Sequence, residues 1–172
     1  MDFEPSDNQK KWCTIARDFV EKFIKPDAQR RDRLPTAEER IPWNWIREAD
    51  KVGIRTLGIP KRFGGEEANI LTLSMVGEEL AAGDLGFAVI MDQCWKMAHL
   101  FGEAMTPEQQ ERFIPPFVDD PEATTAIGIT EHEVGSDHQG YYGEPDIDFR
   151  TSATIDGDHY VLNGTKRYIS NG

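Results

Sequence analysis

The period of the apolar residues changes once along this 172-residue chain, after Pro121, and that switch limits the folds open to it. Before it, apolar residues recur at helical spacing. Trp12, Ile15, Ala16, Phe19, Val20, Phe23 and Ile24 fall at i, i+3, i+4, i+7, i+8, i+11 and i+12, one continuous stripe that needs a partner surface. After it, short β-rich runs are separated by Asp156-Gly157 and Asn163-Gly164, dipeptides suited to tight hairpin turns. The fold class is therefore read as α+β: an all-α helical bundle followed by an antiparallel β meander. The boundary falls near residue 122, giving a helical domain over 1–122 and a β segment over 123–172.

Within the helical part, a second helix is predicted from Trp43 to Val52, closed by Gly53. Ile54 to Phe63 reads as loop, broken by Pro60 and followed by Gly64-Gly65. Further helices are predicted over Leu71–Ala82 and Leu85–Gly102. The latter carries apolar residues around most of its circumference and belongs at the centre of the bundle. Thr106-Pro107-Glu108-Gln109 starts another helix, with a capping hydroxyl, a proline at the first turn and a Gln to complete the box. Pro115-Pro116 is expected to end or distort it. Strands are predicted within Thr124–Thr130, Arg150–Ile155, His159–Leu162 and Thr165–Ser170.

A net charge of -12 argues against a nucleic-acid partner and against docking on an anionic membrane. Cys13 and Cys94 have no CxxC spacing, so a disulfide framework is not expected and a reducing, cytoplasmic compartment is. The first residues lack the basic flank and apolar run of a secretory leader, and no apolar stretch reaches bilayer length, so no membrane insertion is expected. Glu131, His132, Glu133 and His138 match no metal-ligand spacing, and no metal is expected. His99 reads as a satisfied core or edge histidine, and Cys94 as a small buried hydrophobe. Gly64-Gly65 is a turn, since no phosphate-loop pattern is present.

Six stretches in order carry a resemblance: Phe19–Pro26, Val52–Gly65, Glu78–Asp84, Gly102 with Thr106–Gln110, Thr130–Asp137 and Asp156–Gly172. Together they resemble the acyl-CoA dehydrogenase family over nearly the whole chain. The resemblance implies an FAD-dependent enzyme that oxidises an acyl-CoA thioester to the α,β-enoyl-CoA and passes electrons to an electron-transferring flavoprotein or similar acceptor. It also implies that residues 123–172 are a partial domain, the beginning of an antiparallel β-barrel-like one, and that the full-length protein is a homo-oligomer. Ile127, Thr130, Gly135, Ser136, Tyr168 and Ser170 then stand at flavin-contacting positions. Thr130 meets the pyrimidine edge of the ring system. Gly135-Ser136 meets the pyrophosphate, with Ser136 also beside the acyl-CoA thioester. Tyr168 stands where the family usually has Trp, and Ser170 where it usually has Thr.

No catalytic residue is assigned, because the resemblance puts the carboxylate base on a C-terminal helical domain that this sequence lacks. The fourth helix would border the acyl pocket. His132 departs from the family's Pro, and the segment 138–150 is longer than usual. The chain is thus expected to be the N-terminal portion of such an enzyme and inactive alone. Acyl-CoA oxidases and flavin monooxygenases share the implied fold. A reading from a different class is a non-catalytic subunit or interaction module that completes a flavin site with a partner chain.

Overall fold

In a computed structural model that describes residues 4–135 and 149–172, the first apolar stripe forms α1, Asp7–Phe19. Ser6 caps it: its hydroxyl accepts from Gln9 N while the Gln9 side chain accepts from Ser6 N. The stripe does not continue as α-helix. Val20–Ile24 is one wide π turn, with Lys25 N donating to Val20 O at 3.0 Å. Pro26 explains the slip. It has no N–H to extend the α-helical ladder, and its ring would crowd the carbonyl four residues back. The wide turn still buries Val20 and Ile24, both 3% exposed or less. They press on Gly83, where a Cβ would lie 2.6 Å from Val20 Cγ1, so only glycine allows this approach.

Short helices α2, Ala28–Asp32, and α3, Ala37–Arg40, lead to α4, Trp43–Lys51. After a loop holding one 3-10 turn at Lys61–Phe63 come α5, Ile70–Ala81, α6, Leu85–Ala104, and α7, Pro107–Asp119. Helix α6 serves two apolar clusters. Phe87, Ala88, Met91 and Trp95 join the larger one with α1, α4 and α5, while Cys94 and Ala98 join Ile59, Ile114 and Phe117. Phe87 stacks on Phe19 at 5.7 Å and meets the edge of Trp45 at 5.8 Å. Each such buried side chain contributes about 1.5–3 kcal/mol. The central placement expected of this helix is what the structure shows.

Helix α7 corrects one expectation. Pro115 and Pro116 lie inside it, and it runs on to Asp119. Two ladder donors are lost, yet Ile114 and Phe117 on either side are buried and hold the segment helical. Its end is completed by a residue that sequence reasoning passed over. Arg55 is 0% exposed and donates to the carbonyls of Phe117 at 2.9 Å, Val118 at 3.1 Å and Ala123 at 3.1 Å. Its Nε donates to Asp50 Oδ1 at 2.9 Å, and its plane lies 4.5 Å from the Phe117 ring.

Contacts divide the chain into two units, Met1–Thr125 and Ala126–Gly172. In the second, β1, Ser152–Asp156, and β2, His159–Asn163, form an antiparallel hairpin with Ala153 opposite Leu162 and Ile155 opposite Tyr160. The connection is Gly157-Asp158, with Gly157 at φ +64, one residue later than the dipeptide singled out in the sequence. The runs Thr124–Thr130 and Thr165–Ser170, expected as strands, are not in a ladder. Left-handed backbone at Tyr168, φ +55, interrupts the second run, since such a residue cannot continue a pleat, and Asn171 just past the run is left-handed too, φ +63. A helical bundle followed by a short antiparallel sheet is nonetheless the architecture.

Replacing Arg55 by Met is expected to destabilise the full-length protein by about 3 kcal/mol, because it leaves three carbonyls and Asp50 without their donor. Arg55→Lys is expected to recover little, since one ammonium cannot reproduce the planar fork. Urea denaturation midpoints followed by tryptophan fluorescence measure both; an unchanged midpoint for Arg55→Met contradicts this role.

Candidate functional site

The sequence-derived candidates lie in the second unit, and three hydrogen bonds to one carboxylate organise it. Glu131, 7% exposed, accepts from Arg150 N at 2.7 Å, from Thr151 N at 3.0 Å and from Lys166 Nζ at 2.7 Å. The Lys166 hydrogen bond, above all, and then the Thr151 bond hold its pKa at about 2, against an ordinary 4.5. Lys166 also donates to Ile129 O at 3.0 Å, and Arg167 N donates to Thr130 O at 2.8 Å. Segment 127–131 is thereby laid along segment 166–170. At Gly128 a Cβ would sit 3.3 Å from Lys166 Cβ and 3.4 Å from Ile169 Cδ1, so the two backbones pass closely there.

This arrangement brings Ile127, Thr130, Tyr168 and Ser170 onto adjoining segments. Thr130 and Ser170 are half-buried, and among the described residues neither hydroxyl bonds to another group. Tyr168 is 81% exposed and holds left-handed backbone, an arrangement that costs free energy in a bulky residue and here presents the ring to solvent. Gly135 follows a tight turn in which Glu131 N donates to Val134 O at 2.9 Å. Ser136, the residue expected to meet both pyrophosphate and thioester, lies outside the described residues, as does most of the 138–150 segment. An exposed aromatic ring and two uncommitted hydroxyls on adjoining segments are the residue types that suit a planar heteroaromatic ring with hydrogen-bonding edges.

Glu131 and Lys166 are the participants that sequence reasoning missed. The signal was present: an acidic and a basic residue each beside a candidate flavin contact, where a shared partner fixes both segments.

The first unit holds a separate concavity, a groove of about 640 Å³ between α5 and α6. Leu73, Gly77, Ala88 and Val89 line it with Trp95, whose Nε1 is spent on Ile54 O at 2.8 Å. His99 also lines it, and its Nε2 is buried without a partner, so the expectation of a satisfied histidine is corrected. Its neighbours on that stretch of the bundle, Met97 and Ala98, are apolar. Cys94 is 1% exposed and burial raises its pKa, as suits a small hydrophobe.

Residues 6–120 match the family described as the acyl-CoA dehydrogenase N-terminal domain. The chain belongs to this family. It is 32% identical over 170 residues to the mitochondrial isobutyryl-CoA dehydrogenase of Dictyostelium discoideum, covering 97% of this chain and 37% of that protein. Its fold matches the butyryl-CoA dehydrogenase structure from Megasphaera elsdenii with a TM-score of 0.79 at 30% identity, covering 100% of this chain and 43% of that one. A chain in the structure described as the electron transferring flavoprotein of Acidaminococcus fermentans matches at 27% identity, TM-score 0.81, over 100% of this chain and 42% of its own. The chain thus spans about two-fifths of the length of the relatives it matches. Among the described residues no helix is long and apolar enough to cross a membrane.

The depressed pKa of Glu131 fixes a sign for acid stability. The folded state binds the carboxylate more favourably than the unfolded chain does, so its contribution is complete above pH 4.5 and fades as pH falls toward about 2. Glu131→Gln is expected to lower stability at neutral pH and to flatten the pH dependence in that window. Thermal midpoints of both proteins between neutral pH and pH 2 measure this; parallel profiles contradict it.

Proposed function

We propose that this chain is the N-terminal part of an FAD-dependent acyl-CoA dehydrogenase and contributes one wall of its flavin site and part of its acyl-CoA site. The observation that carries the reading is the backbone bond from Arg167 N to Thr130 O, which joins the segments bearing Thr130 and the exposed Tyr168, in a chain whose residues 6–120 match the family. Thr130 would donate its hydroxyl to a ring carbonyl, Tyr168 would cover a ring face, and Ser170 would present its hydroxyl to the ring's reactive edge. Ile127 and Gly135 would pack against the same group, and Ser136 would meet the pyrophosphate and the thioester. FAD, when bound, supplies the capacity to accept a hydride from the β-carbon as a base removes the α-proton.

The chain's own residues orient the ring and exclude water from one side of it. None of its described carboxylates is assigned as the base: Glu131 is committed to Lys166, Arg150 N and Thr151 N, and a carboxylate with a pKa of about 2 is a poor proton acceptor. The α5/α6 groove would take the acyl portion of the thioester, being an apolar concavity with a few polar groups at its walls. An electron-transferring flavoprotein would be the acceptor, and the full-length protein a homo-oligomer.

In the full-length protein, Tyr168→Ala is expected to weaken flavin binding about tenfold, an aromatic contact of this kind contributing about 0.5–1.5 kcal/mol. Tyr168→Trp is expected to retain it. Flavin content after dialysis measures both, and equal retention in all three proteins sinks the assignment. Residues 1–172 alone, mixed with FAD and butyryl-CoA, are expected not to bleach the flavin; stoichiometric bleaching contradicts the absence of the base from this chain.

A further inference from the structure

The α5/α6 groove is apolar on its floor, and its rim mixes exposed Ile70, Leu85 and Val89 with charged groups. Glu78 projects from α5, and Asp92, Lys96 and His99 from α6. Asp92 and Lys96 pair at 2.6 Å with about half of each side chain still exposed, so water completes their hydration. His99 Nε2 is buried with no partner. Trp95 offers no polar atom, since its Nε1 is already bonded to Ile54 O. Ser74 is likewise committed, its hydroxyl donating to Ile70 O at 2.9 Å. The groups open to a ligand are therefore two carboxylates and one ammonium shared with one of them.

A plain alkyl chain laid over this rim would strip water from the ion pair and return no hydrogen bond, which is costly. A terminal carboxylate would meet Glu78 and Asp92 as like charges, with the nearest cation already engaged. A neutral hydroxyl or amide suits the set. It can accept from Lys96 and donate to either carboxylate, while the carbon chain behind it packs on Trp95. Gly77 gives that chain room: a Cβ there would already lie 3.7 Å from Trp95 Cζ3.

Resting on the acyl-CoA reading above, we propose that the groove selects acyl groups bearing a neutral hydrogen-bonding substituent, a hydroxyl or an amide, over unsubstituted and over carboxylate-terminated ones. Asp92 and Lys96 determine that preference and take no part in the chemistry.

The test compares hexanoyl-CoA, ω-hydroxyhexanoyl-CoA and adipoyl-CoA on the full-length flavoprotein, by kcat/KM from flavin bleaching and by equilibrium binding. The hydroxylated thioester is expected to exceed hexanoyl-CoA about tenfold, as when a site built to bond a hydroxyl meets an analogue lacking it but the groups remain partly solvated. Adipoyl-CoA is expected to be poorest. Replacing the pair together, Asp92→Leu with Lys96→Leu, is expected to reverse the order in favour of hexanoyl-CoA, chiefly through KM, with flavin content unchanged. Gly77→Leu is expected to weaken all three alike by filling the groove. Preference for hexanoyl-CoA or adipoyl-CoA in the unmodified protein, or an order that the double replacement leaves intact, overturns the proposal. Selective binding of the hydroxylated thioester without bleaching by any of them upholds the groove's selectivity and refutes the dehydrogenase reading instead.

Discussion

A guanidinium with no solvent exposure sits inside the helical unit, and the rest of that unit is arranged around satisfying it. Burying Arg55 is tolerable only because its donors are matched: Asp50 just before the end of α4, two carbonyls at the end of α7 and one just beyond. The same bonds answer the needs of α7, whose last carbonyls have no partner within the helix. Two prolines weaken that helix near its end, and the arginine holds the end in place. Because Arg55 stands in the loop after α4, the loop is fixed too. Its Ile54 carbonyl then receives Trp95 Nε1, which orients the tryptophan at the floor of the α5/α6 groove. A single buried charge therefore reaches, through two packed steps, the surface on which a ligand would lie.

The second unit repeats the device with the sign reversed. Glu131 gathers two backbone N–H groups and the Lys166 ammonium, and so binds segment 127–131, the start of β1 and segment 166–170 to one point. Every residue of the β1–β2 hairpin is exposed, and a lone hairpin is marginally stable in water. The candidate flavin contacts consequently depend less on the sheet than on this carboxylate. It spends its hydrogen bonds on holding other groups in place, which suits Glu131 to a framework role and not to that of the base.

Much of the fold was legible because apolar spacing and capping chemistry act locally. Ser6 with Gln9 and Thr106 with Gln109 start their helices as their side chains dictate. The departures had distant causes as well as local ones. The π turn at Val20–Ile24 answers to Pro26 and to the close passage of Gly83. Helix α7 survives Pro115-Pro116 because Ile114 and Phe117 are buried on either side and Arg55, sixty residues earlier, bonds its last turn. The run Thr165–Ser170 looked like a strand by composition, but Tyr168 adopts left-handed backbone that composition does not announce.

From residue order alone came the helical first part, the hairpin, the family resemblance and the positions to watch at Thr130, Tyr168 and Ser170, because periodicity, turn dipeptides and motif residues are properties of neighbours in the chain. Only the tertiary structure decided that Arg55 is buried, that Glu131 and Lys166 clamp the candidate site, and that His99 keeps a buried, unpartnered nitrogen at the wall of a groove. Those facts depend on which distant groups share a low-dielectric interior. There a charge or polar atom must find partners or remain unsatisfied, and no local pattern records which it does.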